Sequence, residues 1–150
     1  MHVQKKSGFT LIELLIVIAL IAVLAGAVLI ALNPARQFQL ARNSERWSHV
    51  SAIVGAVTSN ITENRGVWTC AAYPTLPSTS TAMTNALANI CGCVVPSQMA
   101  TFPSDPSVGT GSDCTTYSSG YTISQDATTN RVTVAAPNVE AGAAAISVTQ

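Results

Sequence analysis

A largely apolar run from Phe9 to Leu32 constrains this chain more than any other feature. As a helix at ~1.5 Å per residue it is about 36 Å long, enough for the ~30 Å hydrocarbon core of a bilayer. A small domain has no room to bury such a stretch, so the run needs lipid or other copies of itself. Glu13 lies inside it. A carboxylate at mid-bilayer costs roughly 2.5–3.5 kcal/mol on insertion scales, and a plain membrane anchor supplies no reason to keep one there.

Two ordinary readings account for part of the run. As a secretory signal peptide, Lys5 and Lys6 supply the basic start, and Ala25, Gly26 and Ala27 resemble an A-x-A cleavage site. The apolar stretch is then overlong, contains Glu13 and continues through Val28, Leu29 and Ile30. As a plain transmembrane anchor, the run has its length explained and nothing else. "KKSGFTLIE" brings the residues together: a short basic leader ending in Gly8, then Phe9, then a carboxylate at the fifth position past that glycine. This resembles the class III signal of type IV pilins and the related pseudopilins, over about 25 residues.

The resemblance implies a cut between Gly8 and Phe9 and N-methylation of the new terminus at Phe9. It implies four kinds of partner: a prepilin peptidase/N-methyltransferase, an inner-membrane assembly platform, membrane lipid before assembly, and further copies of the chain in a helical filament. Phe9 and Glu13 become assembly residues. Cleavage creates an ammonium one turn before Glu13, and a buried carboxylate is largely compensated by such a partner. In that family the amine is held to come from a neighbouring subunit, which turns Glu13 into a register signal. The bland alternative pairs Glu13 with its own chain's amine or leaves it at the membrane surface. Lys5 and Lys6 mark the cytoplasmic side, although Arg36, Arg42 and Arg46 follow the run on the outer side. These arginines find acidic partners on neighbouring subunits, Glu45 or Glu63 among them, or form a solvated helix face.

Beyond Leu32 the helical period persists. Leu40, Trp47, Val50, Val54, Val57 and Ile61 form one apolar stripe, and Gly66 suits the left-handed stop. The reading is a single helix from about Thr10 to about Arg65, with Pro34 disturbing its middle. After Val67 the composition shifts to Ser, Thr, Ala, Gly and Pro. "AMTNALANIC" suggests a short helix, "YTIS" and "RVTVAA" a hairpin, and "AISVT" a third strand. The expected fold is α+β: a long N-terminal helix, transmembrane in its first half and amphipathic in its second, packed on a small antiparallel sheet. The segments are a leader over 1–8, an assembly helix over 9–32, an amphipathic helix over 33–66 and a stapled head over 67–150.

The head offers few large apolar groups, among them Trp68, Leu87, Ile90, Val94, Tyr121, Ile123, Val134 and Ile146. A core that thin usually needs a staple. All four cysteines follow the apolar run, as expected for two disulfides in an oxidising compartment. A Cys91–Cys93 bridge is disfavoured by geometry, so Cys70 and Cys114 each take one partner from the pair. Free buried thiols are the alternative, and zinc is a poor rival, because C-x-C has no histidine near it.

Seven basic and seven acidic side chains give no basic stripe and no clear nucleic-acid signal. His49 has no paired nucleophile in the sequence and reads as a surface or interface residue. No EF-hand run is present; the resemblance to type II secretion pseudopilins implies a calcium loop at Asp113 or Asp126 as a minor alternative, and the expectation is no cofactor, no metal and no catalysis. The "NIT" at Asn60 matches a glycosylation sequon by chance. The function expected is a filament subunit. A pseudopilin of a type II secretion or DNA-uptake system is the alternative, and a membrane-tethered binding domain that never polymerises is the rival of a different class.

Overall fold

The structure is a computed structural model that describes residues 8–111 and 113–150. The chain forms two compact units that divide between Phe38 and Gln39.

The first unit contains helix α1, Leu11–Leu32. Its leucines, isoleucines and alanines carry the backbone into helix without a polar competitor, and none of its residues is buried. Asn33 stops it with a left-handed backbone, φ 43° and ψ 76°. The single helix expected over residues 10–65 is therefore two, and Pro34 gives the reason. A proline disfavours the α conformation at the residue before it, and asparagine is among the few non-glycine residues that accept the left-handed region. Pro34 itself sits at the first position of helix α2, Pro34–Glu63, where its missing N–H leaves no bond unmade. Asn33 also starts α2: its side-chain and main-chain oxygens accept from the Arg36 N–H at 3.4 and 3.1 Å.

The second unit holds the remainder of α2 and a four-stranded antiparallel sheet in the order β1-β2-β3-β4. The strands are β1 (Thr81–Thr84), β2 (Ser118–Gln125), β3 (Val132–Ala136) and β4 (Ile146–Thr149). The expected hairpin is β2–β3, with Ile123 opposite Val134, and "AISVT" supplies β4, paired to β3 through Val148 and Val134. Alternation places Tyr121, Ile123, Val132, Val134 and Ala136 inward. They join Val50, Ile53, Val54 and Val57 of α2 in one buried cluster. This is the α+β arrangement of a long apolar helix and a small antiparallel sheet.

Two local readings change. "AMTNALANIC" is mostly strand and turn: β1 pairs with β2 through Thr81 and Ile123 and through Ala82 and Thr122, and only Cys91–Val94 forms a helical turn, α3. A ready sheet partner outweighs the modest helix propensity of Thr and Asn, and the Thr84 hydroxyl accepts from the Ala86 and Leu87 N–H groups to end the strand. The α2 stripe also starts later than its spacing suggests. Val50, Val54 and Val57 are fully buried, while Leu40 and Trp47 are 42% and 47% exposed. Leu87, counted for the core, is exposed as well.

Candidate functional site

The processing segment is built from few atoms. Gly8, Phe9 and Thr10 precede α1, and Thr10 is extended at ψ 150°. The Gly8–Phe9 bond therefore lies outside the helix, and the Phe9 ring is 90% exposed. Thr10 and Glu13 form a reciprocal cap. The Glu13 N–H donates to the Thr10 hydroxyl at 3.3 Å, while Glu13 Oε2 accepts from the Thr10 N–H at 2.9 Å and from its hydroxyl at 2.8 Å. In the uncleaved chain the carboxylate thus satisfies an otherwise orphaned helix-start donor. The pattern T-x-x-E is legible in "TLIE", yet attention to the charge of Glu13 passes over Thr10. Residues 1–7 of the expected leader, including Lys5 and Lys6, lie outside the described residues. α1 is long and apolar enough to cross a membrane by length and composition.

The head is organised around a charged pair that periodicity alone does not reveal. Arg46 of α2 is fully buried and donates to Asp105 Oδ2 at 2.7 Å and Oδ1 at 3.1 Å, with both side chains inaccessible to solvent. Its remaining donors reach Asn43 Oδ1 at 2.8 Å and the Ser107 hydroxyl at 2.7 Å. Burial alone would raise the Asp105 pKa; hydrogen bonds from Arg46 and from the Ser107 main chain and hydroxyl outweigh it and hold the carboxyl at about 2. The Asp105 hydrogen bond in turn raises the Arg46 pKa. The close approach of the Asp105 loop to β2 requires glycine at 120. Its φ is +76°, and a Cβ there would stand 2.7 Å from the Asp105 Cβ.

Arg42 extends the clasp, donating to Glu140 at 2.8 Å and drawing its carboxyl below the ordinary value. The Asn43 side chain bonds both main-chain groups of Glu140. Arg42 and Arg46 are thus paired within their own chain, with Asp105 and Glu140 rather than with Glu45 or Glu63, which corrects the expectation of partners on neighbouring subunits. A sequence clue existed. Asn43 and Arg46 continue the face of Val50, Ile53 and Val57 at helical spacing, but a search for apolar residues discards them.

His49 is half-buried, with Nδ1 at 2.8 Å from the Tyr121 hydroxyl. Burial first, then the nearby Asp105 charge, raises the Tyr121 pKa and keeps the phenol protonated. Asp113 and Asp126 each cap a turn. Asp113 takes the Thr115 and Thr116 N–H groups, and Asp126 takes those of Thr128 and Thr129. Both carboxyls fall below the ordinary value, chiefly through the Thr116 and Thr129 main-chain bonds respectively. No group of three or more potential metal ligands occurs among the described residues. Asn60 is buried and donates to the Thr69 carbonyl at 3.2 Å, which leaves no acceptor for a glycan. The cysteines pair as Cys70–Cys93 and Cys91–Cys114.

Residues 3–29 match the family model for the prokaryotic N-terminal methylation motif. The chain carries the class III signal of the type IV pilin and pseudopilin family. No curated protein and no solved structure matches it. The pilin-type match covers the Gly8–Phe9 bond, Thr10 and Glu13 and ends before Asn33, so the head contributes its geometry alone. The pilin-type motif implies processing by a prepilin peptidase and pilus assembly. With the apolar α1 it indicates a membrane-anchored precursor. The motif's family is one of structural subunits.

Proposed function

We propose that this chain is a structural subunit of a type IV pilus-like filament, inserted in the membrane as a precursor, cleaved after Gly8, N-methylated at Phe9 and polymerised through α1. The observation that carries the reading is Glu13, placed five residues past Gly8 at the start of a helix without a buried residue. Before assembly, Thr10 shares the carboxylate's cost. After cleavage, the Phe9 ammonium of a neighbouring copy competes for it, and an ion pair in low dielectric outbids two neutral donors. Each added subunit then gains most when its α1 is in register. Gly8 and Phe9 lie outside the helix, so a peptidase reaches the bond without unwinding α1. The head sits outside the cytoplasm, where its two disulfides persist. The same residues serve a pseudopilus of a secretion or DNA-uptake system, in which the filament is shorter.

Intact mass with N-terminal fragmentation tests the processing, on protein from membranes and from sheared surface material. A start at N-methylated Phe9 is expected; a start at Met1 or near Val28 overturns the reading. Glu13→Ala tests assembly. Insertion and cleavage should persist while sheared filament falls several-fold, and a normal filament yield would falsify the register role.

A further inference from the structure

A cleft of about 390 Å³ opens in the head between the chain leaving α2, the loop before β1 and the β2–β3 hairpin. Its walls are fastened to one another. The Trp68 indole N–H donates to the Tyr73 carbonyl at 2.8 Å, the Gln125 main-chain N–H to the Pro77 carbonyl at 2.7 Å, and the Gln125 side-chain amide to the Asn130 carbonyl at 3.1 Å. Asp126 holds the hairpin turn through Thr128 and Thr129. The cleft therefore exists before any ligand arrives, and little ordering cost falls on binding.

Two kinds of surface meet in it. Val67 and Leu76 line it as apolar residues beside the largely buried Trp68; Thr75 and Ser78 bring hydroxyl residues to the lining, and Gln125 and Asn130 amide residues. Among the described residues, its lining carries no charged side chain. An ionic ligand would lose water and gain no counter-charge. A purely hydrocarbon ligand would dry the hydroxyls and the amide sites not spent on the Gln125–Asn130 bond, and leave them unpaired. A neutral polyhydroxylated ring fits both surfaces. Its C–H face covers the apolar side, and its hydroxyls, which donate and accept, match amides that do the same. The volume lies at the lower end of the ~300–1,000 Å³ typical of small-molecule sites.

We infer that this cleft is a binding site for a neutral saccharide of one or two rings. The inference is independent of the filament reading, because none of its residues belongs to the processing segment. The chain has two tryptophans, so Trp47→Phe leaves Trp68 as the sole indole reporter. The full chain, in a detergent without a sugar headgroup, is titrated with D-glucose, D-galactose and N-acetylglucosamine while Trp68 emission is followed. At least one sugar should give a saturable change, with half-saturation on the order of 1–10 mM. Gln125→Ala should weaken it about tenfold, as for one lost polar contact of ~1.4 kcal/mol. Ala127→Phe, which fills the cleft from the exposed hairpin without adding a second indole, should abolish it while the far-UV spectrum and melting point hold. A response that is absent or linear for all three sugars overturns the site, and so does a saturable response that survives Ala127→Phe.

Discussion

Leu14, Ile18 and Leu20 of α1 are 57–62% exposed, whereas Val50, Ile53 and Val54 of α2 are at 0%. The side chains are of similar kind; what differs is whether the chain folds a partner onto them. α2 meets strands that turn Tyr121, Ile123 and Val134 toward it, while α1 has no such partner in its own unit. The polar groups divide the same way. Glu13 is served by Thr10 three residues away, and Asp105 by Arg46 at a separation of 59 residues. One region is completed from outside and depends on local bonds; the other closes on itself through distant ones. Damage to the head's long-range bonds should therefore leave α1 untouched.

The largest effect expected is from Asp105→Ala. It leaves the buried Arg46 guanidinium with only the longer Glu140 contact, at 3.6 Å, in place of its bidentate partner, which costs about 3–5 kcal/mol. Denaturant titration in micelles should show the head melting early, with α1 helicity by far-UV circular dichroism retained. The paired exchange Arg46→Met with Asp105→Leu should recover much of the loss, because an apolar pair of similar volume needs no desolvation. If the double variant is no better than the single one, the clasp contributes more than charge compensation. Next, removing either disulfide, as in Cys70→Ser with Cys93→Ser, should cost about 3 kcal/mol, from a loop with a separation of 23 residues.

Acid offers a gentler route. The Asp105 carboxyl is depressed to about 2 from an ordinary 3.8, so its contribution is fully present above about pH 4 and is lost as pH falls through about 2. That contribution is on the order of 2 kcal/mol. Melting temperature against pH should fall through this window in the parent and be flatter in the double variant. The smallest change is Asn33→Ala, which strains a left-handed position by roughly 1 kcal/mol. Hydrogen exchange should quicken at the Arg36 and Gln37 amides, which bond Asn33, while the head's melting point stays fixed.

Much of this architecture was legible in residue order. The apolar run, the hairpin between "YTIS" and "RVTVAA" and the improbability of a Cys91–Cys93 bridge all follow from short-range pattern. What escaped were partners far apart in sequence. Arg46 looks like a solvent-facing residue until Asp105 is brought to it, and "AMTN" looks helical until β2 lies beside it. Leu40 and Trp47 fit the apolar stripe by spacing, but the chain opposite them did not arrive. The break at Asn33 was a matter of degree: Pro34 announced a disturbance, and the asparagine before it turned the disturbance into a stop. The cleft beside Trp68 is assembled by three separate segments, and no local pattern marks it.

The two disulfides share the short segment from Cys91 to Cys93, so the ring closed by Cys70 and Cys93 overlaps the ring closed by Cys91 and Cys114. A single peptide bond cut anywhere from residue 71 to 113 therefore leaves both fragments tethered. Within that span, a cut outside the shared segment from Cys91 to Cys93 is spanned by one bridge, and a cut inside it by both. A subunit built this way tolerates a protease nick as a woven fabric tolerates a broken thread. After limited digestion it should run as one band without reductant and as two with it.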